Sequence, residues 1–202
     1  MADCKLYYFN AKARAELTRY AYAFKGVSYE DIRFDDTNLK FEEFKSKTPF
    51  GSAPVLEVDG VMFAQSMAIA RYVAREVGLN GANSLENLKI DMILDALYSD
   101  LFPLIINVFQ GQTDEIKAAA KTKAVESIQK TFGNLETLVS GDYFLGSDAS
   151  LADLAVFNLV NDVLPLLGLN MDEYTKISKI VASLRENENI KSHLENRPKT
   201  DA

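Results

Sequence analysis

The feature that most constrains the fold is a change in hydrophobic pattern at residues 78–84. These residues form a cluster of turn-forming types, Gly78-Leu79-Asn80-Gly81-Ala82-Asn83-Ser84. Before the cluster, short β-rich segments alternate with helical ones, whereas after it the apolar residues recur at helical spacing. Such clusters between periodic segments are typical of linkers. The sequence therefore predicts an α/β domain over residues 1–80 and an all-α domain over residues 81–202.

The first domain is predicted to have the order βαβ-α-ββα. Its most specific signal is Asp59-Gly60, a two-residue turn between two short apolar runs, which is typical of an antiparallel hairpin. The helix after the hairpin places Ile69, Val73 and Val77 on one face. The predicted strands cover residues 5–9, 27–34, 55–58 and 61–63, and the predicted helices cover residues 13–25, 39–44 and 66–77.

The second domain is predicted to be an α-helical bundle. Ser150 and Asp153 have the spacing of a capping box, in which the two side chains bond the free N–H groups at a helix start. Further helices are predicted over residues 117–139, 151–164 and 174–185. Five apolar residues recur at i, i+3, i+4, i+7 and i+11 and are the predicted core positions of the first helix: Ile90, Ile93, Leu94, Leu97 and Leu101.

Charge narrows the function classes. The 202 residues include 22 basic and 29 acidic side chains, a net charge of −7, which disfavours nucleic acid and polybasic membrane docking. Residues 1–80 hold 11 basic and 11 acidic residues and residues 81–202 hold 11 and 18, so the two domains carry 0 and −7. The neutral first domain is compatible with a local pocket for a small anion.

Cysteine and histidine are nearly absent. Cys4 and His193 are each the single residue of their type, which excludes an intrachain disulfide and disfavours metal clusters and a Ser-His triad. The start lacks a basic segment followed by an apolar one, and no run approaches about 18 uninterrupted apolar residues. We expect a cytoplasmic protein with no metal and no membrane partner.

Two local features together indicate a peptide-like anionic ligand. Pro54 stands at the entrance of a predicted strand, and either an ordinary trans turn or a cis Ala53-Pro54 bond fits there. In the cis form the main chain of Ala53 would be offered to an extended peptide. Gln65-Ser66 opens a helix, where Ser66 either caps the helix alone or belongs to a carboxylate-binding helix start.

Several motifs, in order along nearly the whole chain, resemble cytosolic glutathione S-transferases. Within this family, the motifs most resemble the sigma class, which includes haematopoietic prostaglandin D synthase and the cephalopod S-crystallins. The resemblance implies a thioredoxin-like first domain, a helical second domain, glutathione as co-substrate and a homodimer. The motifs are Lys5-Leu6-Tyr7-Tyr8-Phe9-Asn10, Arg14-Ala15-Glu16, Thr48-Pro49-Phe50-Gly51, residues 54–60, residues 65–72, Ser150-Leu151-Ala152-Asp153 and Arg197-Pro198.

The same resemblance implies a role for each site residue. Tyr8 would be catalytic, its hydroxyl donating a hydrogen bond to the glutathione sulfur, while Tyr7 points to the opposite face as a core aromatic. The implied glutathione-binding residues are Tyr8, Phe9, Arg14, Phe41, Lys45, Ser52, Ala53, Pro54, Gln65, Ser66 and Asp100. The implied hydrophobic-substrate residues, in a pocket between the domains, are Ala13, Leu101, Leu104 and Ile105.

Three departures from the family pattern bear on glutathione affinity. The chain has no Trp, and Phe41, the nearest match to the usual tryptophan, lacks the indole donor. Ser52 is shorter than the Lys or Gln common there. Ala13 replaces the usual glycine, a change that fits only if its φ is negative.

The preferred function is therefore a glutathione transferase that conjugates hydrophobic electrophiles, with prostaglandin isomerase or peroxidase side activity. The alternative is a non-catalytic, S-crystallin-like structural or ligand-binding protein. A thiol-exchange enzyme is disfavoured because the chain has no Cys-x-x-Cys.

Overall fold

The computed structural model describes residues 3–35 and 39–200. The chain divides into two compact units: the residues up to Leu79 together with those from Arg185 onward, and Asn80–Leu184. The boundary near residue 80 coincides with the predicted linker. The end of the second unit differs from the sequence prediction, because the residues from Arg185 onward cluster with the first unit instead of the helical one.

The first unit is built on a four-stranded mixed sheet. Its strands are β1 (Cys4–Phe9), β2 (Glu30–Phe34), β3 (Val55–Val58) and β4 (Val61–Ala64), in the spatial order β2-β1-β3-β4. β1 runs parallel to β2, and β3 runs antiparallel to both β1 and β4. The predicted strand at residues 27–34 begins only at Glu30, because the ladder with β1 starts where Lys5 pairs with Glu30. The thioredoxin-like fold is confirmed.

Helices pack on this sheet and contribute to its core. Leu6 and Leu56 from the strands, and Leu17, Tyr20 and Val73 from the helices, are at most 2% exposed. The helices of the unit are α1 (Glu16–Phe24), which follows a 3₁₀ turn at Ala13–Ala15, α2 (Phe41–Phe44), which leads into a 3₁₀ turn at Lys45–Lys47, α3 (Ser66–Val77) and α9 (Glu188–Asn196).

The second unit is helical, as predicted. All five predicted core positions of its first helix are at most 4% exposed. The predicted capping box is also present, since the Ser150 side chain accepts from the Asp153 N–H and the Asp153 carboxylate accepts from the Ser150 N–H (2.8 Å). The helices are α4 (Ser84–Asp95), α5 (Phe102–Gln110), α6 (Asp114–Leu138), α7 (Leu151–Asn158) and α8 (Thr175–Glu186), with π-helical turns at Ala96–Leu101 and Leu159–Val163 and a 3₁₀ turn at Leu164–Leu167.

One continuous helical stretch, Ser84–Gln110, is long and apolar enough to cross a membrane by length and composition alone. Its most apolar 18-residue window has a mean hydropathy of 1.6, and 44% of that window is buried inside the protein. Core helices pass the same test, and here the apolar face of the stretch is the core of the helical unit.

Candidate active site

The first unit brings three predicted site segments to one edge of its sheet. Tyr7 pairs with Val55, and Val55 in turn pairs with Ala64. One step further along these ladders, Tyr8 comes opposite Pro54, and Pro54 comes opposite Gln65. The end of β1, the start of β3 and the start of α3 therefore meet at this edge.

Tyr8 is held at this edge with its ring buried. Its side chain is 6% exposed, and its hydroxyl accepts a hydrogen bond from the main-chain N–H of Arg14 (3.4 Å). Burial raises the pKa of Tyr8, and the Arg14 N–H together with the charges of Arg14 and Arg19 partly offsets this rise. The phenol therefore keeps its proton near neutral pH and can act as a hydrogen-bond donor.

Tyr7 behaves as the predicted core aromatic. Its ring stacks on Phe44 with 4.6 Å between centroids, and its hydroxyl donates to Glu57 Oε2 (3.0 Å). Burial and the Glu57 carboxylate raise the pKa of Tyr7 to about 12. The two neighbouring tyrosines thus have different partners, and only the Tyr8 hydroxyl meets the Arg14 N–H.

The loop between β1 and α1 shapes the surroundings of Tyr8. Ala13 has φ +31°, so the condition of a negative φ is not met and the alanine adopts a left-handed conformation. This places the exposed Arg14 so that its N–H reaches Tyr8. The loop also contains a tight turn in which the Ala11 N–H donates to the Phe9 carbonyl (2.7 Å).

The proline at the start of β3 adopts the less common of the two predicted forms. The Ala53-Pro54 bond is cis, with Pro54 buried, Ala53 half-buried and Ser52 exposed. Lys45 extends beside this turn, since a Cβ added at Gly51 would lie 3.8 Å from Lys45 Cε. Lys45 also lies 3.9 Å from Glu42 in a solvent-exposed ion pair.

The start of α3 differs from the sequence prediction in one respect. The N-cap is Gln65, whose carbonyl accepts from the Ile69 N–H (2.9 Å), and Ser66 is the first helical residue, so the prediction of Ser66 as N-cap is wrong. The reason is the backbone of Gln65, which turns out of the strand at φ +78° and ψ +105°. Ser66 therefore belongs to the first turn, whose N–H groups have no partner within the helix.

Phe9 and Phe41 belong to one aromatic cluster. Their ring centroids lie 5.1 Å apart, and each also contacts Phe34. Phe9 is 41% exposed and Phe41 is half-buried. The cluster gives the edge beside Tyr8 an apolar flank.

The remaining predicted residues lie in the helical unit. Asp100 is exposed in the π-helical turn, Leu104 is half-buried, and Leu101 and Ile105 are each 1% exposed. Leu101 and Ile105 are thus core residues of this unit. The binding roles assigned to all four stay predictions.

Sequence reasoning missed a buried ionic cluster behind Tyr8. Glu16 and Arg19 are both fully buried, and Glu16 accepts from Arg19 Nη1 (3.0 Å), His193 Nε2 (2.9 Å) and Arg197 Nη1 (2.8 Å). The signal that could have revealed it is a pair of opposite charges three residues apart on the buried face of a helix. Within residues 3–35 and 39–200, no three His, Cys, Asp or Glu side chains form a metal-binding group, and a metal-free site stays a prediction.

Two protein-family models match the chain. One, described as "Glutathione S-transferase, N-terminal domain", matches residues 2–75, and "Glutathione S-transferase, C-terminal domain" matches residues 99–197. The chain belongs to the glutathione S-transferase family. It is therefore a glutathione transferase, an enzyme with glutathione as its co-substrate.

Relatives of this transferase are similar over nearly their full length. "Probable glutathione S-transferase 6" of Caenorhabditis elegans is 31% identical, covering 98% of each chain. "Hematopoietic prostaglandin D synthase" of Gallus gallus is 32% identical, covering 99% of each. A solved glutathione S-transferase of the hookworm Necator americanus, described as monomeric, has a TM-score of 0.86 and 30% identity, covering 99% of this chain and 100% of its own.

Proposed function

We propose that this transferase is a sigma-class enzyme that ionises the glutathione thiol at Tyr8 and conjugates the thiolate to hydrophobic electrophiles. The observation that carries the proposal is the hydrogen bond from the Arg14 N–H to the Tyr8 hydroxyl at the edge of the sheet. A hydroxyl that accepts in this way still has its own proton to donate. The similarity to the Gallus gallus prostaglandin synthase supports the sigma class.

The chemistry follows from the protonation states. A free thiol has a pKa of about 8.5 and is mostly protonated at neutral pH. A hydrogen bond from the neutral Tyr8 phenol stabilises the thiolate and so lowers the thiol pKa. The thiol proton passes to solvent, the sulfur forms a bond to the electrophilic carbon, and the leaving group departs with the electrons of its bond.

Glutathione is proposed to lie along the sheet edge in an extended form. The main chain of Ala53 would hold the cysteinyl unit, and Lys45 would pair with the glycine carboxylate. Gln65 and Ser66, at the start of α3, would bind the γ-glutamyl end, where helix N–H groups and the helix dipole favour a carboxylate. Ser52 and Phe41 offer fewer donors than the usual residues, so we expect modest glutathione affinity.

Replacing Tyr8 by Phe tests the proposal. We expect kcat/KM for conjugation of a model aryl halide to fall roughly 100-fold, the usual cost of losing one donor to a developing anion, with the glutathione Kd within about twofold. The matched control is Tyr7→Phe, which removes a hydroxyl that bonds Glu57 and should retain conjugation. Equal turnover of Tyr8→Phe and the unmodified enzyme would show that Tyr8 is not the catalytic hydrogen-bond donor.

The same preparations decide between the alternatives. Binding to a glutathione resin without turnover would favour the non-catalytic, S-crystallin-like role. The similarity to a prostaglandin D synthase supports a proposed prostaglandin isomerase side activity, to be assayed beside peroxide reduction. We also propose a cytoplasmic location, which fits a chain with a single cysteine. A role in detoxification would follow from the proposed conjugation of hydrophobic electrophiles.

We further propose a homodimer. On the first unit, Phe50, Val61 and Phe63 are 69%, 56% and 52% exposed and border an apolar groove of about 670 Å³. On the second unit, Leu85 and Leu88 of α4 are 75% and 64% exposed on neighbouring turns. Exposed apolar patches of this kind are typical of protein–protein contacts.

A further inference from the structure

Arg19 is a buried cation that sits next to Tyr8. Its side chain is fully buried, and its guanidinium carbon lies over the Tyr8 ring, 5.9 Å from the centroid. This is within the range at which a cation is attracted to an aromatic face. Burial alone would lower the pKa of Arg19, but Asp31 and Glu16 raise it, so the residue stays charged.

The same guanidinium holds the loop that bonds the Tyr8 hydroxyl. Arg19 Nη1 donates to the Ala11 carbonyl (2.7 Å), and Ala11 lies between the strand that carries Tyr8 and the N–H of Arg14. The loop includes Ala13 in a left-handed conformation, which costs about 1–2 kcal/mol for a residue other than glycine. A strained loop keeps its shape only when its surroundings fix it, and the Arg19–Ala11 bond is one such contact.

Two carboxylates hold the Arg19 side chain in place. Glu16 Oε2 accepts from Nη1 (3.0 Å) and Asp31 Oδ1 accepts from Nε (3.1 Å). These carboxylates are shared, because Glu16 also bonds Arg197 and Asp31 also bonds Arg33 (2.9 Å). Each of these two carboxylates is therefore shared between two guanidinium groups. Among the described residues, Arg19 Nη2 has no hydrogen-bond partner.

We propose that Arg19 is a positioning residue for the thiol chemistry, which holds the loop at residues 10–14 against the Tyr8 hydroxyl and places a fixed positive charge beside the Tyr8 ring. The inference rests on the proposed function of Tyr8. Loss of the charge would raise the pKa of Tyr8 and weaken its hydrogen bond to the thiolate. Loss of the forked contacts would release the loop even if the charge were kept.

Two substitutions separate these effects. Arg19→Met removes the charge and the fork, whereas Arg19→Lys keeps a charge but lacks the planar fork. The control is Arg33→Met, which removes a guanidinium from the same Asp31. Among the described residues, the hydrogen bond of Arg33 to the loop goes to the Asn10 side chain (3.2 Å). Circular dichroism establishes that each variant is folded.

The first measurement is the ionisation of Tyr8 itself, read as the tyrosinate absorbance of each protein minus that of its Tyr8→Phe counterpart. We expect Arg19→Met to raise the pKa of Tyr8, because the Arg19 charge lowers this pKa in the unmodified protein. The second measurement is the pH profile of kcat/KM with glutathione. The profile of Arg19→Met should move in the same direction, to higher pH, with kcat about tenfold lower and the glutathione KM within twofold. Arg33→Met should match the unmodified enzyme in both measurements.

The outcomes decide the proposal in each case. A folded Arg19→Met with an unchanged Tyr8 titration and pH profile would overturn it. If Arg19→Met does not fold, Arg19→Lys is the deciding variant. The proposal then requires that its pH profile of kcat/KM is unchanged and that its kcat is at least about threefold lower than that of the unmodified enzyme. A shifted pH profile or an unchanged kcat would overturn the proposal. If the unmodified enzyme shows no Tyr8-dependent conjugation, the proposed function fails, whereas the Tyr8 titration still reports on Arg19.

Discussion

Acid should destabilise this transferase by protonating Glu16, and the variant Glu16→Gln can measure this contribution to the free energy of unfolding. Glu16 is fully buried, and burial alone would raise its pKa. The hydrogen bond from His193 and the charge of Arg19 act more strongly in the opposite direction, with a further contribution from Arg197, and lower the pKa from 4.5 to about 2. The ionised form is therefore the one that the folded state favours.

The magnitude follows from the difference between the two pKa values. A folded value of about 2 against 4.5 unfolded corresponds to about 3 kcal/mol of stability. Because the folded value is the lower one, this contribution is complete above about pH 4.5 and is lost as the pH falls towards 2. Roughly 2 kcal/mol of it should disappear between pH 5 and pH 3.

Urea unfolding at a series of pH values, for the unmodified protein and Glu16→Gln, measures this contribution. At pH 7 we expect Glu16→Gln to be about 3–5 kcal/mol less stable, because the buried Arg19 and the half-buried Arg197 both lose their ion pair with Glu16. That gap should narrow by roughly 2 kcal/mol between pH 5 and pH 3, since only the unmodified protein has this carboxylate to protonate. Glu195→Gln, at an exposed position of α9, is the matched control and should track the unmodified protein.

Two results would refute this reasoning. A gap that stays constant from pH 5 to pH 3 would show that Glu16 does not ionise differently in the folded and unfolded states. A gap that widens in acid would show that the folded state favours the protonated carboxyl, so that burial outweighs the three donors.

Two further predictions concern the loop beside Tyr8 and the proposed homodimer. Ala13→Gly should stabilise the protein by about 0.5–1 kcal/mol, because relief of the positive φ exceeds the added chain entropy of glycine; a lower urea midpoint would contradict the strained loop. Phe50→Asp should convert a dimer to a monomer in sedimentation equilibrium, whereas Phe109→Asp, half-exposed on α5, should leave the dimer intact. A Phe50→Asp protein that sediments as a dimer would remove Phe50 from the contact.

Those parts of the fold with a local signal could be predicted from the sequence. Asp59-Gly60 determines a two-residue turn, and the hairpin register follows from it. The helix at Ser66–Val77 has the predicted bounds, because Gly78, in a left-handed conformation, ends it. The buried face of the first helix after the linker could also be predicted, because its apolar residues recur with the 3.6-residue period of a helix.

The candidate site was predictable only where residues lie at the ends of regular elements. Tyr8 and Pro54 stand at strand ends, so sheet topology alone brings them together. Ala13 and Gln65 have positive φ angles, which could not be predicted because alanine and glutamine rarely adopt them. The helix start was for this reason misassigned by one residue.

The ionic cluster behind Tyr8 could not be predicted, because its members are far apart in sequence. Glu16 and His193 are separated by 177 residues, and no periodic pattern relates them. In the sequence, His193 is an isolated histidine, and Glu16 is recognisable only as part of a family motif. Only the packing of α9 on α1 makes them partners.

That packing also sets an order of events during synthesis. The ribosome releases the four strands and α1 well before residues 185–197, and domains generally begin to fold as they emerge. Until His193 and Arg197 follow, Glu16 has only Arg19 to balance it among these partners. The unit that is made first therefore reaches its final internal charge balance last, after the entire helical unit has been translated.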